Sequence, residues 1–182
     1  VYPTGGQGRY VLSPDTDWPD GGTLTLEARH TDGQPVYVIV EAAEPPNAAH
    51  AAEIESVDGP LSFLGFELDR PQASRGEELV LSTFWRVERV PNRPLSLMAH
   101  LMGPDGVPVA VGDGLGAPVE GWAAGDTIVQ RHRFSVPEDA PPGEYWLQSG
   151  AYWLDTTERW LFQDKNGNQS DRLPLTTVQI RD

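Results

Sequence analysis

The stretch from Leu95 to Tyr152 constrains this chain more than any other, because it alternates apolar and polar residues with a period of two and interrupts the alternation at turn residues. LSLMAHLM runs into the turn signal GPDG and then VPVAV; further on, DTIVQRHRFSV is broken by PEDAPPG before EYWLQSGAYWL. Successive side chains of a strand point to opposite faces, so this pattern describes half-buried antiparallel strands joined by short turns. Glycine (19) and proline (17) are abundant in the 182 residues without any repeating period, which suits a turn-rich all-β chain. A hydrophobic content of 38% is enough to bury a core.

Extending the same reading places strands at residues 61–68, 78–87, 95–102, 107–111, 126–136, 144–154 and 173–180, with a short one at 159–162. About seven strands at this spacing predict an all-β, antiparallel two-sheet sandwich of immunoglobulin-like type. Upstream, Thr23–Glu27 and Pro35–Val40 flank Asp32-Gly33 and predict a β-hairpin, with a further short strand at Arg9–Leu12. Glu41–Pro60 breaks the pattern. Pro45-Pro46 stops any strand, and Asn47 is placed to cap one short alanine-rich helix through about Glu55. The expected organisation is an N-terminal extension over 1–60, holding the hairpin and a linker with the short helix, and a sandwich over 61–182. Within Glu78–Val87 the set Leu79, Leu81, Thr83, Trp85 and Val87 is the expected core face.

Charge and composition exclude several functions. With 27 acidic against 13 basic residues the formal net charge is −14, so nucleic acid and anionic membrane surfaces are disfavoured partners. The chain has no cysteine, hence no disulfide framework and no thiolate chemistry. No apolar run approaches the roughly 18–20 residues that cross a bilayer. Since the sequence opens on Val1, the expectation is a piece of a longer protein, with any signal or anchor outside it.

The candidate binding residues are aromatic. Strand 144–154 carries large rings on both faces, Tyr145 and Trp153 on one and Trp146 and Tyr152 on the other, which a strand buried on one side would not need. Sugars pack their C–H faces on aromatic rings while their hydroxyls reach polar neighbours. Trp146, Tyr152 and Trp160 are therefore the expected platform for carbohydrate, with Gln148 and Arg159 as polar contacts. The competing expectation is that the rings fill space beneath the hairpin.

Other constellations carry less. Closing the hairpin with a four-residue loop, Gly103–Gly106, sets His100 opposite Val109 and Asp113 opposite Ser96, about 13 Å apart along the ladder. A proton relay needs about 3 Å, so a His100–Asp113 dyad is not expected. Asp164–Asp171 places oxygen ligands at alternating positions, but Gln169 and Leu175 stand where a calcium-binding EF-hand loop requires Gly and Glu, and a polar hairpin loop around Asn166-Gly167 explains the same residues. Asp15-Thr16-Asp17 has glycosyltransferase spacing without the α/β fold that such a motif needs. No catalytic residue, metal site or cofactor is predicted.

Five segments in order complete the pattern: GFEL (Gly65–Leu68), LVLSTFW (Leu79–Trp85), MAHLMGPDG (Met98–Gly106), GWAAGD (Gly121–Asp126) and PEDAPPGEYWLQSGAY (Pro137–Tyr152). Together they resemble the extracytoplasmic β-sandwich that follows the membrane helices of some bacterial dolichyl-phosphate-mannose-protein mannosyltransferase-like glycosyltransferases. The resemblance covers about Leu61–Ile180, and Asp32–Val40 is similar to the segment before it. It departs between Asp113 and Trp122, where GLGAPVEG replaces a more polar loop. What the resemblance implies is a non-catalytic accessory domain outside the cytoplasm, tethered to the membrane part of the same polypeptide and contacting carbohydrate or an envelope glycoconjugate. The alternative is a free-standing secreted carbohydrate-binding or adhesion module.

Overall fold

A computed structural model describes residues 8–13, 21–42, 48–115 and 119–182. Fourteen strands follow in chain order. They are β1 (Gly8–Leu12), β2 (Thr23–Arg29), β3 (Pro35–Ala42), β4 (His50–Ser56), β5 (Leu61–Leu68), β6 (Gln72–Ser74) and β7 (Glu78–Val87). Then come β8 (Leu95–Met102), β9 (Pro108–Val111), β10 (Thr127–Ser135), β11 (Gly143–Trp153), β12 (Phe162–Gln163), β13 (Gln169–Ser170) and β14 (Leu173–Arg181). A single 3-10 turn, Val119–Gly121, is the only helical element among the described residues. None of the described helical segments is long and apolar enough to cross a membrane.

The strands form two sheets, as the alternation predicts. One runs β13-β12-β4-β5-β7-β10-β1-β3-β2 and the other β6-β14-β11-β8-β9. Pairing is antiparallel except where β1 lies parallel to β10 and β6 to β14. The N-terminal hairpin β2–β3 forms around Gly33 (φ 87°) and extends the larger sheet through β1. Strands on either side of the expected 60/61 boundary thus share one sheet.

Between the sheets the predicted face of β7 is buried: Leu79, Leu81, Thr83 and Trp85 are fully inaccessible and Val87 almost so. The Trp85 ring meets Phe63 edge-on at 5.0 Å and Phe162 at 5.9 Å. Opposite them lie Leu95, Leu97, Ala99 and Leu101 of β8 and Tyr145, Leu147 and Ala151 of β11. A second apolar cluster, including Leu12, Val40, Phe84 and Val129, occupies the other face of the large sheet. This explains why Phe84, on the expected polar side of β7, is also apolar. Two motifs singled out in the sequence close turns here. Tyr145 donates from its hydroxyl to Pro141 O at 2.9 Å, a tie from the start of a strand back to the preceding corner of the kind immunoglobulin-like folds use. Asp126, buried after Gly125 (φ 92°), accepts from the Ala123 amide at 2.8 Å and pairs with Arg9 of β1.

The expected alanine-rich helix through Glu55 is instead strand β4. Its residues alternate exposed and half-buried, with Ala52, Ile54 and Ser56 turned inward against β5. Helix propensity of a few alanines is worth little beside the burial of that edge, and tertiary packing overrides it. Asn47 and Pro45-Pro46 lie outside the described residues, as does Asp15-Thr16-Asp17.

Candidate functional site

The outer face of the small sheet is built from β8 and β11, which are antiparallel neighbours. Register sets Trp146 opposite Met102, Gln148 opposite His100, Gly150 opposite Met98 and Tyr152 opposite Ser96. Because period-two alternation sends residues 146, 148, 150 and 152 to one side, Tyr145, Leu147 and Ala151 go to the core and leave this row outside. Trp146 and Tyr152 are half-buried and Gln148 is buried. A Cβ at Gly150 would meet Met98 Cε at 2.8 Å, so the flexible end of Met98 fills the space beside this glycine.

Arg159 joins the same face because it bridges Tyr152 in an isolated antiparallel pair, and opposed residues share a side. Its guanidinium reaches Asp171 at 3.4 Å. Four of the five residues expected to contact carbohydrate, Trp146, Gln148, Tyr152 and Arg159, thus line one surface. Trp160 does not. It is fully buried between the sheets, where its ring packs against Trp153 at 5.0 Å and lies so close to Gly59 that a Cβ there would sit 2.3 Å from the indole. Alternation through an irregular turn does not fix a face, so the sequence could not tell this ring from the exposed ones.

The same face holds a pair that the strand spacing sets apart. His100 Nε2 lies 3.1 Å from Asp113 Oδ1, where about 13 Å was expected. Two single-residue changes in the hairpin account for it. The loop has three residues, since the Gly103 amide donates to Val107 O at 2.8 Å and Gly106 (φ 78°) donates to Gly103 O at 3.0 Å. A bulge between Leu101 and Met102 adds one more residue on β9, so His100 pairs with Val111 and Leu97 with Gly114. A two-residue slip keeps every side chain on its face while bringing Asp113 alongside His100.

A connected polar network results. Asp113 Oδ1 also accepts from the Ala99 amide at 2.9 Å, and the carboxylate is hydrogen-bonded by Tyr152. Burial pushes the Asp113 carboxyl up, but the bonds from His100, Ala99 and Tyr152 outweigh it and hold the group below the usual carboxylate range. With Nε2–H committed to Asp113, His100 Nδ1 is left as an acceptor facing Gln148 Nε2 at 3.4 Å. The arrangement supplies two half-buried rings, an ionised carboxylate, an amide and a guanidinium on one side of the sheet. Such a set accepts from and donates to hydroxyl groups.

Beneath this surface runs an interior chain. Trp85 Nε1 donates to Thr83 Oγ1 at 2.9 Å, Thr83 Oγ1 meets His132 Nε2 at 2.9 Å, and His132 Nδ1 donates to Gly112 O at 2.7 Å. Gly112 precedes Asp113, so the core holds the backbone that presents the carboxylate. Burial lowers the His132 pKa to about 4, keeping the imidazole neutral.

The Asp164–Asp171 segment is a hairpin loop between β12 and β13. Asp164 Oδ1 accepts from the amides of Asn166 and Asn168, each at 2.8 Å, and Oδ2 from Asn168 Nδ2 at 2.9 Å. These bonds hold the carboxyl below its usual range. The carboxylate thus organises its own loop.

No family model matches the sequence, and no curated protein does so either. Among solved structures, the chain is similar to the C-terminal domain of Wzt with a TM-score of 0.45 and 12% identity, over 75% of this chain and 83% of that one. It is also similar to a Niemann-Pick type C2 protein from the Japanese carpenter ant, with a TM-score of 0.35 and 11% identity over 76% of this chain and 100% of that one.

Proposed function

We propose that this chain is a non-catalytic binding module that holds a neutral glycan on the outer face of β8 and β11, as an extracytoplasmic accessory domain of a cell-envelope glycosyltransferase. The observation that carries the binding part is the alternate placement of Trp146, Gln148 and Tyr152 along β11, with Arg159 and the His100–Asp113 pair beside them. A pyranose stacks its C–H face on the rings, and its hydroxyls bond the carboxylate and guanidinium. The partners of His100 are Asp113 and Gln148, which makes it a positioning residue for the carboxylate and not a base poised against a nucleophile. Acidic glycans bind less well because the protein's net charge of −14 opposes them.

The association with a transferase, and the site outside the cytoplasm, rest on the resemblance of segments 65–68, 79–85, 98–106, 121–126 and 137–152. A glycan array followed by titration of tryptophan fluorescence tests the binding reading, with dissociation constants of about 0.1–1 mM expected for neutral oligosaccharides. Absence of binding across the array, or binding unchanged in Trp146→Ala and Asp113→Asn, overturns it. Removing the domain from a membrane-embedded glycosyltransferase that carries it, and finding no change in acceptor use, overturns the accessory role.

A further inference from the structure

A concave site lies at the open side of the sandwich, apart from the Trp146 and Gln148 row of the proposed glycan face. It is a cleft of ≈ 530 Å³, within the range of about 300–1,000 Å³ common for small-molecule sites. Its floor is aromatic, formed by Phe63, Phe66 and Phe162; Ala52 and Ile54 of β4 form one wall, and Leu173 and Leu175 of β14 the other. The cleft exists because neither wall strand is fully paired. β12 bonds only Glu55 and Ser56 of β4, and β6 bonds only residues 179–181 of β14.

Two bare strand edges above an apolar floor suit either a peptide strand or a chain that makes no hydrogen bonds. The edges decide between them. Pro174 has no amide hydrogen, and Leu175 is the extra residue of a bulge, since Gln148 pairs with Pro174 and Leu147 with Thr176. On the other side the β4–β5 register shifts between Ala51 and Ile54. Proline and bulges blunt an edge against strand addition, so the occupant is an aliphatic chain.

The rim determines the head group. Asp164 spends its carboxylate on Asn166 and Asn168, and Arg172 Nε donates to Asp171 at 2.9 Å. The Arg172 charge is thus paired with Asp171, while Asp164, bonded only by uncharged groups, keeps its negative charge; the rim accepts from hydroxyl groups and repels an anionic head. We infer that the cleft binds a single-chain amphiphile with an uncharged polar head, its tail on the three phenylalanines and its head at the rim near Asp164 and Arg172.

The probe is N-phenyl-1-naphthylamine, an uncharged fluorophore whose emission rises in apolar surroundings, displaced by glycerol monolaurate below its aggregation concentration. Dodecyl sulfate is the charged comparison. Glycerol monolaurate is expected to displace the probe at concentrations at least tenfold lower than dodecyl sulfate does. Leu175→Trp and Ala52→Phe, which fill the cleft, should lower probe affinity at least tenfold, while Trp146→Ala leaves it unchanged; loss in Trp146→Ala alone would place the probe on the glycan face and overturn the inference. Hydrogen exchange on the unaltered protein gives an independent reading, with monolaurate slowing exchange in β4 and the first half of β14. No probe binding, equal displacement by dodecyl sulfate, unchanged affinity in both filled variants, or protection elsewhere overturns it.

Discussion

The core between the sheets and the outer face of the small sheet use the same residue types for opposite ends. On the inner side Trp85, Tyr145 and Trp160 are fully buried, and their neighbour His132 is bonded only to uncharged groups, Thr83 and the Gly112 carbonyl. On the outer side Trp146 and Tyr152 keep part of their surface in water and the histidine, His100, is bonded to a carboxylate. A ring in the core contributes through lost water contact and close packing, and a neutral histidine is the form that low dielectric tolerates. A ring on the outside gives up less surface to the fold, and the Asp113 carboxylate stays ionised there because His100, the Ala99 amide and Tyr152 all hydrogen-bond it. The aromatic residues therefore divide into a structural half in the core and the half that the proposed glycan site would use, and on β11 the division follows strand parity.

The sharpest way to break this division is to delete an inner ring. Trp85→Ala and Trp160→Ala are each expected to cost about 3–5 kcal/mol, measured by denaturant unfolding, because a large packed side chain is replaced by a cavity. A small loss in Trp160→Ala, with loss of glycan binding, would return that ring to the binding half.

Acid gives the next largest effect. The folded His132 titrates near pH 4, below the value of about 6.5 expected in the unfolded chain. Between those values the unfolded state holds the extra proton. Its contribution to stability is therefore complete above about pH 6.5, falls as pH drops through the window, and is lost by about pH 4, a change of about 3 kcal/mol. His132→Gln should flatten the slope of unfolding free energy between pH 6.5 and 4. An unaltered slope would show that the interior histidine is not the group responsible.

Backbone supports the two halves unequally, which a pair of glycines can sharpen. Gly65 in β5 has φ 142°, and a Cβ there would lie 2.4 Å from His50 O, so Gly65→Ala strains the bulge that seats β4 and should cost about 2–3 kcal/mol. Gly143 opens β11 with φ 157°, a backbone conformation that other residues rarely adopt, but an added methyl there would have no neighbour within 4 Å, so the same change costs backbone strain alone, about 1–2 kcal/mol. Thermal melting of the two variants ranks them; equal losses would mean that close approach at β4 is not what requires Gly65.

Legibility followed the same division between regular and irregular segments. β5, β7 and β8 end where the alternation ends, because each is long enough for period two to be unambiguous. β4 was hidden by His50-Ala51-Ala52, whose residues favour a helix locally and become a strand only because β5 needs an edge partner. The contact between His100 and Asp113 was hidden by turn geometry. Asp32-Gly33, Asp105-Gly106 and Asn166-Gly167 all close three-residue loops with the glycine at positive φ, and each brings one residue fewer into the loop than a four-residue reading assumes. That signal, a repeated Asp/Asn-Gly at the third loop position, was present in the sequence. The added bulge at β9 was not, and without it Asp113 would still miss His100.

The smallest expected change in stability is the most telling for function. Trp146 stands opposite Met102 and is buried only in part, so Trp146→Ala should shift unfolding by less than loss of an inner ring does, about 1 kcal/mol. Glycan binding should fall at least tenfold in the same variant, since stacking on that ring has no substitute along β11. Tyr152→Phe separates the two contributions of its neighbour: the ring is kept, but the bond to Asp113 is lost. If stacking dominates, Tyr152→Phe binds nearly as well as the unaltered protein; if the carboxylate must be held to meet a hydroxyl, it binds several-fold worse. A Trp146→Ala variant that unfolds readily would mean instead that the outer face is a second core and that strand parity does not separate structure from binding.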